Sequence, residues 1–225
     1  MQKIGFTKEQ RVVHKLIIDS TGMSDIGLFT GKMGIILSLV TYSRSTKQKA
    51  IEEVADFLMN QVLESMTNIS PLSFSNGLTG IGWAIEYLIQ NGYMPGCGAD
   101  ICTDIDNKLM SYDIRRVGDF SLENGIYGWL HYIVAHIQGA NRCGKQVFDK
   151  MYTIDLVSKI KEYSENSTIS EEFSNLLAML IEVLNGATDV YKFPLATIIK
   201  NDIKFSINDL SLQKGLAGYL ITKHI

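Results

Sequence analysis

Apolar residues recur at helical spacing along most of the chain. The longest such segment, 45–66, places apolar residues at positions 51, 54, 55, 58 and 62 on one face of a helix. Capping-box spacing predicts two helix starts, at Thr7 with Gln10 and at Ser45 with Gln48. Further helical patterns cover 99–111, 145–163 and 190–200, and 203–207 is strand-like. With the segments described next, we predict ten helices in five pairs.

A glycine motif, Ser-apolar-x-x-Gly-apolar-x-Gly, precedes several of these helices. It is SFSNGLTG at 73–80, SLENGIYG at 121–128 and SLQKGLAG at 211–218, with a weaker form, GLFTGKMG, at 27–34. Its first glycines are separated by 46, 48 and 90 residues; they are Gly31, Gly77, Gly125 and Gly215. Because the last step is twice 45, we expect a glycine-free copy near residue 170, where a helical pattern is present.

The repeat predicts an all-α fold of about five helical hairpins with a period of about 46 residues. Two architectures suit it: an open α-solenoid of the HEAT type, or an α/α toroid whose motif helices form the inner wall of a closed or open ring. A ring crowds the starts of its inner helices, where glycine permits close backbone approach or a positive φ. We therefore favour the ring, as a single domain spanning 1–225.

The repeated Gly-apolar-x-Gly at helix starts resembles the lanthionine synthetase C-like (LanC-like) family. The resemblance extends from Gly27 to Gly218 and is strongest at 73–83, 121–129 and 211–219. It implies an α/α toroid and an association with peptide modification. Cyclising members of that family have about seven hairpins and bind zinc through two cysteines and a histidine, in Trp-Cys and Cys-His-Gly contexts. Neither context occurs here.

The available zinc donors do not form a recognisable site. They are Cys97, Cys102, Cys143, His14, His131, His136 and His224. Catalytic zinc needs three converging protein ligands, and no histidine follows Cys97 and Cys102 at ligand spacing. His131 and His136 are five residues apart and so diverge around a helix; we interpret them as partly buried polar residues. We expect Cys143 to be an incidental loop thiol, and we expect neither zinc nor another cofactor.

Composition and charge narrow the classes of function. A chain of 225 residues, 46% hydrophobic and 20% charged, suits one globular domain. The net charge is −3 and basic clusters are small, which argues against nucleic-acid binding. No apolar run approaches the ~18 residues of a membrane span. Three cysteines suggest no disulfide framework, and without a secretory signal in the first fifteen residues we expect a cytoplasmic protein.

Carboxylate chemistry has weak support. Glu86 and Glu123 lie near motif ends, and Asp104 and Asp106 form a D-x-D, but we interpret all four as ordinary solvated carboxylates rather than glycosidase or terpenoid-cyclase groups. Phosphate-binding loops, nucleophile elbows and dinucleotide fingerprints are absent from the sequence. No catalytic residue can be assigned.

The loops before the motif helices provide a candidate ligand site. At one end of a ring, helix N-termini with unpaired N–H groups would suit an anionic or peptide ligand. The candidate residues are Asn76, Thr79, Trp83, Glu123, Asn124, Tyr127 and Lys214. The alternative is that these polar residues are helix caps and that the aromatic residues belong to the core.

Two functions remain open. One is a LanC-like role in peptide modification, by cyclisation or by a zinc-free accessory relative that binds a precursor peptide or a modifying enzyme. The other is a non-catalytic scaffold that binds a protein or peptide. The last motif helix is only about three turns long, so it would leave an apolar end face, and we also expect self-association.

Overall fold

The computed structural model describes residues 6–66, 71–166, 170–199 and 206–225, which form helices and connecting loops without a strand in these ranges. The α-helices are, in chain order, α1 Lys8–Thr21, α2 Lys32–Thr46, α3 Lys49–Met66, α4 Leu78–Gln90, α5 Gly98–Ile101, α6 Thr103–Met110, α7 Ile126–Arg142, α8 Lys150–Asn166, α9 Glu171–Leu184, α10 Leu195–Ile198 and α11 Leu216–Thr222. A 3-10 turn, Ile114–Arg116, lies between α6 and α7. The all-α prediction is confirmed. None of the described helices has the length and apolar character needed to cross a membrane.

The chain divides into two compact units. The first contains the described residues of Met1–Ile69 and Pro194–Ile225; within it α11 packs on α1 and α2, and α2 packs on α3. The second is Ser70–Phe193, where α7 packs on α4, α5 and α9, and α8 packs on the 3-10 turn. The assignment of a single domain stays a prediction.

One predicted capping box is confirmed and the other is wrong. The Thr7 hydroxyl accepts the N–H of Gln10, whose side chain accepts the N–H of Thr7. Ser45 instead lies in the last turn of α2, where its hydroxyl donates to the carbonyl of Tyr42 at 3.0 Å. The chain reverses at Lys47, which has a φ of 56°, and α3 starts two residues later.

Three other predicted helices have different bounds in the structure. α8 begins at residue 150 rather than 145, because Asp149 Oδ1 accepts the N–H groups of its first turn. The pattern at 99–111 splits into α5 and α6 at Cys102. The pattern at 190–200 shortens to α10, because proline disfavours helical φ/ψ angles in the residue before it and Pro194 itself caps the helix.

The glycine-free copy near residue 170 is a helix, α9. Of the strand-like segment 203–207 only 206 and 207 lie within the described residues, and neither is in a strand.

The first glycine of each motif is the N-cap of its helix and permits close contact with its own preceding loop. These four glycines have φ between −128° and −98°, so the positive φ that the sequence allowed for is not used. A Cβ on Gly77, Gly125 or Gly215 would collide with the carbonyl oxygen six residues earlier, and one on Gly31 with the backbone of residues 26 and 27. We call the six residues before each first glycine the capping loop.

The capping loops also bind the first N–H of each motif helix through backbone carbonyls. The hydrogen bonds are Lys32 to Asp25 at 3.0 Å, Leu78 to Pro71 at 3.1 Å, Ile126 to Asp119 at 2.9 Å and Leu216 to Asp209 at 2.8 Å. These first N–H groups are therefore not available to a ligand, contrary to the expectation of unpaired donors at the helix starts.

The second glycine of the motif receives a side chain from a neighbouring capping loop. A Cβ on Gly128 would lie 2.5 Å from Phe74 Cβ, and one on Gly34 would lie 3.0 Å from Leu212 Cβ. The same two loop pairs share a backbone hydrogen bond in one register: Phe74 N–H donates to Glu123 at 2.9 Å, and Leu212 N–H donates to Phe29 at 2.7 Å. The motif thus encodes one repeated loop-to-helix interface, present once in each unit.

Candidate functional site

The structure separates the candidate ligand residues into exposed and buried groups. The exposed ones are Asn76, Glu123, Asn124 and Lys214, and Tyr127 is half-buried. Thr79 is fully buried and its hydroxyl donates to the Leu72 carbonyl at 2.7 Å. Trp83 is also fully buried. The Thr79 hydroxyl is therefore hydrogen-bonded within the core, and so is the indole N–H of Trp83, as described next.

Tyr191 connects Trp83 to a buried histidine. The indole N–H of Trp83 donates to the Tyr191 hydroxyl at 2.8 Å, and that hydroxyl lies 2.8 Å from His131 Nδ1. Since the indole can only donate, the tyrosine proton is free to donate to the imidazole. Burial lowers the pKa of His131 to about 4, so this histidine is neutral at pH 7. These three residues form a hydrogen-bond chain in the core.

A second histidine of α7 lies between two buried carboxylates. His136 Nδ1 is 2.7 Å from Glu86 Oε1, and His136 Nε2 is 2.8 Å from Asp106 Oδ2. Glu86 and His136 are fully buried and Asp106 is 4% exposed. Glu86 and Asp106 are therefore not the solvated carboxylates expected from sequence, and His136 is not merely partly buried. Helix α4 supplies Glu86, α6 supplies Asp106 and α7 supplies the histidine.

The geometry requires His136 to be an imidazolium when both carboxylates are ionised, because each nitrogen must then donate a proton. Burial alone would lower the pKa of His136, but hydrogen bonds and charge from Asp106 and Glu86 outweigh it and raise the pKa to about 9. Neutral donors satisfy the remaining oxygens: Tyr132 donates to Asp106 at 2.6 Å, and Gln90 donates to Glu86 at 2.7 Å.

We call Glu86, Asp106 and His136 the buried charge network. Two glycines shape it, since a Cβ at Gly98 or Gly139 would collide with the Glu86 carboxylate. Neither nitrogen of His136 retains a lone pair for a metal, and within the described ranges no group of three or more histidine, cysteine or acidic residues is arranged to hold one. His136 and the neutral donors Tyr132 and Gln90 therefore satisfy the two buried carboxylates inside the fold.

Glutamines at equivalent repeat positions extend this polar interior. Gln90 and Gln138 each follow a first glycine by thirteen residues, and Gln138 donates to Gln90 at 2.9 Å. The Gln138 carbonyl oxygen accepts the N–H groups of Val190 and Tyr191 at 2.7 and 2.8 Å. α7 thereby anchors the segment that follows α9.

Cys143 forms a disulfide with Cys97, so the expectation of an incidental thiol is wrong. Their Cα atoms are 6.4 Å apart, and their separation of 46 residues equals one repeat period. Cys97 is the N-cap of α5 and Cys143 is the C-cap of α7. Cys102 is a free, buried thiol, and burial together with the nearby carboxylates raises its pKa well above the usual value.

An open groove lies on the other side of α7. It has a volume of about 550 Å³ and is lined by Ile137, Ala140 and Asn141 of α7, the loop 145–148, five residues of α8 between Lys150 and Ser158, and Val183 and Leu184 at the end of α9. It forms because α9 packs on α7 while α8 packs on the 3-10 turn. We call it the α7–α9 groove.

The surface of the α7–α9 groove is mainly apolar and its charges are cationic. Ile154 and Leu184, both in its wall, are 47% and 39% exposed. Lys145 and Lys150 are the charged residues of its lining, and Lys145 forms an ion pair with Asp100 of α5. Such a volume lies within the range of pockets that take small ligands or the anchor side chains of a peptide.

Sequence reasoning missed the buried charge network, the disulfide and the α7–α9 groove. It also missed a signal of the capping loops: an aspartate stands six residues before the first glycine in three of the four motifs, at Asp25, Asp119 and Asp209, where its side chain accepts the N–H two residues later. The spacing of the two bonded cysteines at one repeat period was also visible. Nothing in the sequence indicated the groove.

Comparison with known proteins adds no family: no family model, curated protein or solved structure matches the chain.

Proposed function

We propose that this chain is a helical-hairpin repeat protein of the LanC-like type that binds a peptide segment in the α7–α9 groove. The groove itself carries the proposal, since it is an apolar concavity of the second unit in which large side chains are left partly exposed. The peptide would be a precursor for a modifying enzyme, or a segment of such an enzyme. The buried charge network is assigned a structural role.

The repeated loop interface supports the ring architecture as part of this proposal. In the second unit, the capping loop of α4 pairs with that of α7; in the first unit, the loop of α11 pairs with that of α2 in the same register. The last motif of the chain thus stands beside the first as the second stands beside the third. A cyclic order of motif helices, as in a toroid, accounts for both pairs.

The lining of the groove indicates the chemistry of its ligand. Burying one leucine or phenylalanine side chain contributes about 1.5–3 kcal/mol, so two or three such anchors would supply useful affinity. Lys150 has no ion-pair partner among the described residues and stands at the start of α8. An acidic residue beside the apolar anchors would complement it. The favoured ligand is an amphipathic acidic peptide.

The test is fluorescence polarisation with a labelled amphipathic peptide that has leucines at i, i+3 and i+7 and glutamates between them. We expect saturable binding, weaker binding of the same peptide with lysine in place of glutamate, and a loss of about tenfold in affinity for the variant Ile154→Glu.

The matched control is Ile18→Glu, which changes an isoleucine that is 68% exposed on α1. This variant should bind like the unchanged protein. Equal affinity in both variants, or no binding by the unchanged protein, would contradict the proposed function.

A further inference from the structure

We propose that the Cys97–Cys143 disulfide regulates the α7–α9 groove, so that the oxidised protein binds its peptide and the reduced protein binds it weakly. The inference rests on the proposed function and adds a redox control to the same site. In the reaction, a dithiol reductant gives two electrons and two protons: the S–S bond breaks, two cysteine thiols form, and the dithiol is itself oxidised to a disulfide.

The disulfide stands at the start of one wall of the groove. Cys143 ends α7, and the loop that follows it, 144–149, supplies the lining residues 145–148. Its partner Cys97 begins α5, which packs on α7. The bond therefore ties the beginning of this wall to a second element of the same unit.

At this end, the N–H groups of Gly144 and Lys145 donate to the carbonyls of Asn141 and Ala140 at 3.1 and 2.9 Å, so these two loop residues are held to α7 itself. The pair between Lys145 and Asp100 also joins the loop to α5, but both side chains are substantially exposed, and exposed ion pairs contribute little. Farther along, Phe148 is 4% exposed and packs 5.8 Å from the His136 ring, which fixes the far end of the loop. Reduction would thus remove the covalent tie between α5 and the end of α7, so that this end of the loop can move away from α5 while the far end stays in place.

The positions of the three cysteines make the reaction selective. Cys143 is exposed and Cys97 is half-buried, so a dithiol can reach the bond from the Cys143 side. Cys102 is fully buried and its thiol is held protonated, so it is a poor competitor in thiol exchange. A reversible disulfide of this kind is also compatible with a reducing compartment, where persistent structural disulfides are rare.

The experiment measures binding of the same labelled glutamate peptide to the full chain with and without dithiothreitol, with thiols counted by alkylation and mass spectrometry. We expect affinity to fall about tenfold on reduction, because the reduced loop must be ordered again on binding. The double variant Cys97→Ser, Cys143→Ser should bind weakly in both conditions. The control Cys102→Ala should retain the full redox response.

The outcomes separate the two proposals. Equal affinity before and after complete reduction would overturn the redox control while leaving the groove as a binding site. Absence of binding in both states would overturn the proposed function and the control together. Hydrogen exchange gives an independent readout: residues 144–147 should exchange faster on reduction, and unchanged protection there would also overturn the inference.

Discussion

The two sides of α7 differ in chemistry: one faces a buried ionic cluster and the other an open apolar groove. Toward α4 and α6 it presents His136, whose charge two buried carboxylates satisfy within the fold. Toward α8 and α9 it forms the floor of an open apolar groove. The ionisable residues Glu86, Asp106 and His136 thus hold helices together, whereas apolar residues line an open groove. In this unit the ionisable cluster lies in the packed interior, and the partly exposed aliphatic side chains are where we propose that a peptide binds.

The largest expected effect comes from breaking the buried charge network. His136→Ala would leave Glu86 and Asp106 as uncompensated buried charges, and removing one partner of a buried ion pair costs about 3–5 kcal/mol. Urea unfolding should show this loss, whereas His14→Ala, at an exposed histidine, should change little. Similar small effects for the two variants would mean that the network does not stabilise the fold.

The next effect tests the repeated glycine interface. A Cβ in Gly128→Ala would meet the Leu122 carbonyl and Phe74, so we expect a loss of about 1–3 kcal/mol from overpacking. Gly118→Ala is the matched control, because nothing lies within 4 Å of its added Cβ. Thermal unfolding compares the two, and a neutral Gly128→Ala would refute the proposed role of the second glycine.

The last stability effect is the pH dependence, in which the two histidines act in opposite directions. The folded pKa of His136, about 9, exceeds its unfolded value near 6.5, so its contribution is complete below pH 6.5 and is lost as pH rises toward 9. The folded pKa of His131, about 4, is depressed, so its contribution is lost as pH falls from 6.5 toward 4.

Unfolding free energy measured across this range should therefore be greatest near pH 6.5. His136→Gln should remove the decline above pH 6.5 and keep the decline below it. A wild-type decline above pH 6.5 that persists in this variant would assign the effect to another group.

The sequence predicts the parts of the fold that depend on local signals. The first glycines mark helix starts, the Thr7 capping box forms, and α9 appears where the period requires a helix. The prediction at Ser45 failed because a capping-box spacing also occurs at the end of a helix. Pro194 set the start of a helix whose apolar pattern began before it. Local patterns could not decide between these competing signals.

The site features depend on pairs that are distant in the chain. Glu86 and His136 are 50 residues apart, and their burial follows from the packing of α4 on α7 rather than from either neighbourhood. The disulfide shares the repeat period and was predictable in principle. The groove depends on where α8 begins and on which element it packs against, and neither is encoded in the apolar period.

The most direct test of the central claim maps the bound peptide by NMR chemical-shift changes. Binding in the groove predicts changes at Val147, Ile154 and Leu184, with Asn76 and Glu123 unaffected. Changes concentrated instead at the capping loops, around Asn76 and Glu123, would place the ligand at the site the sequence suggested. That result would contradict the assignment of the α7–α9 groove as the binding site.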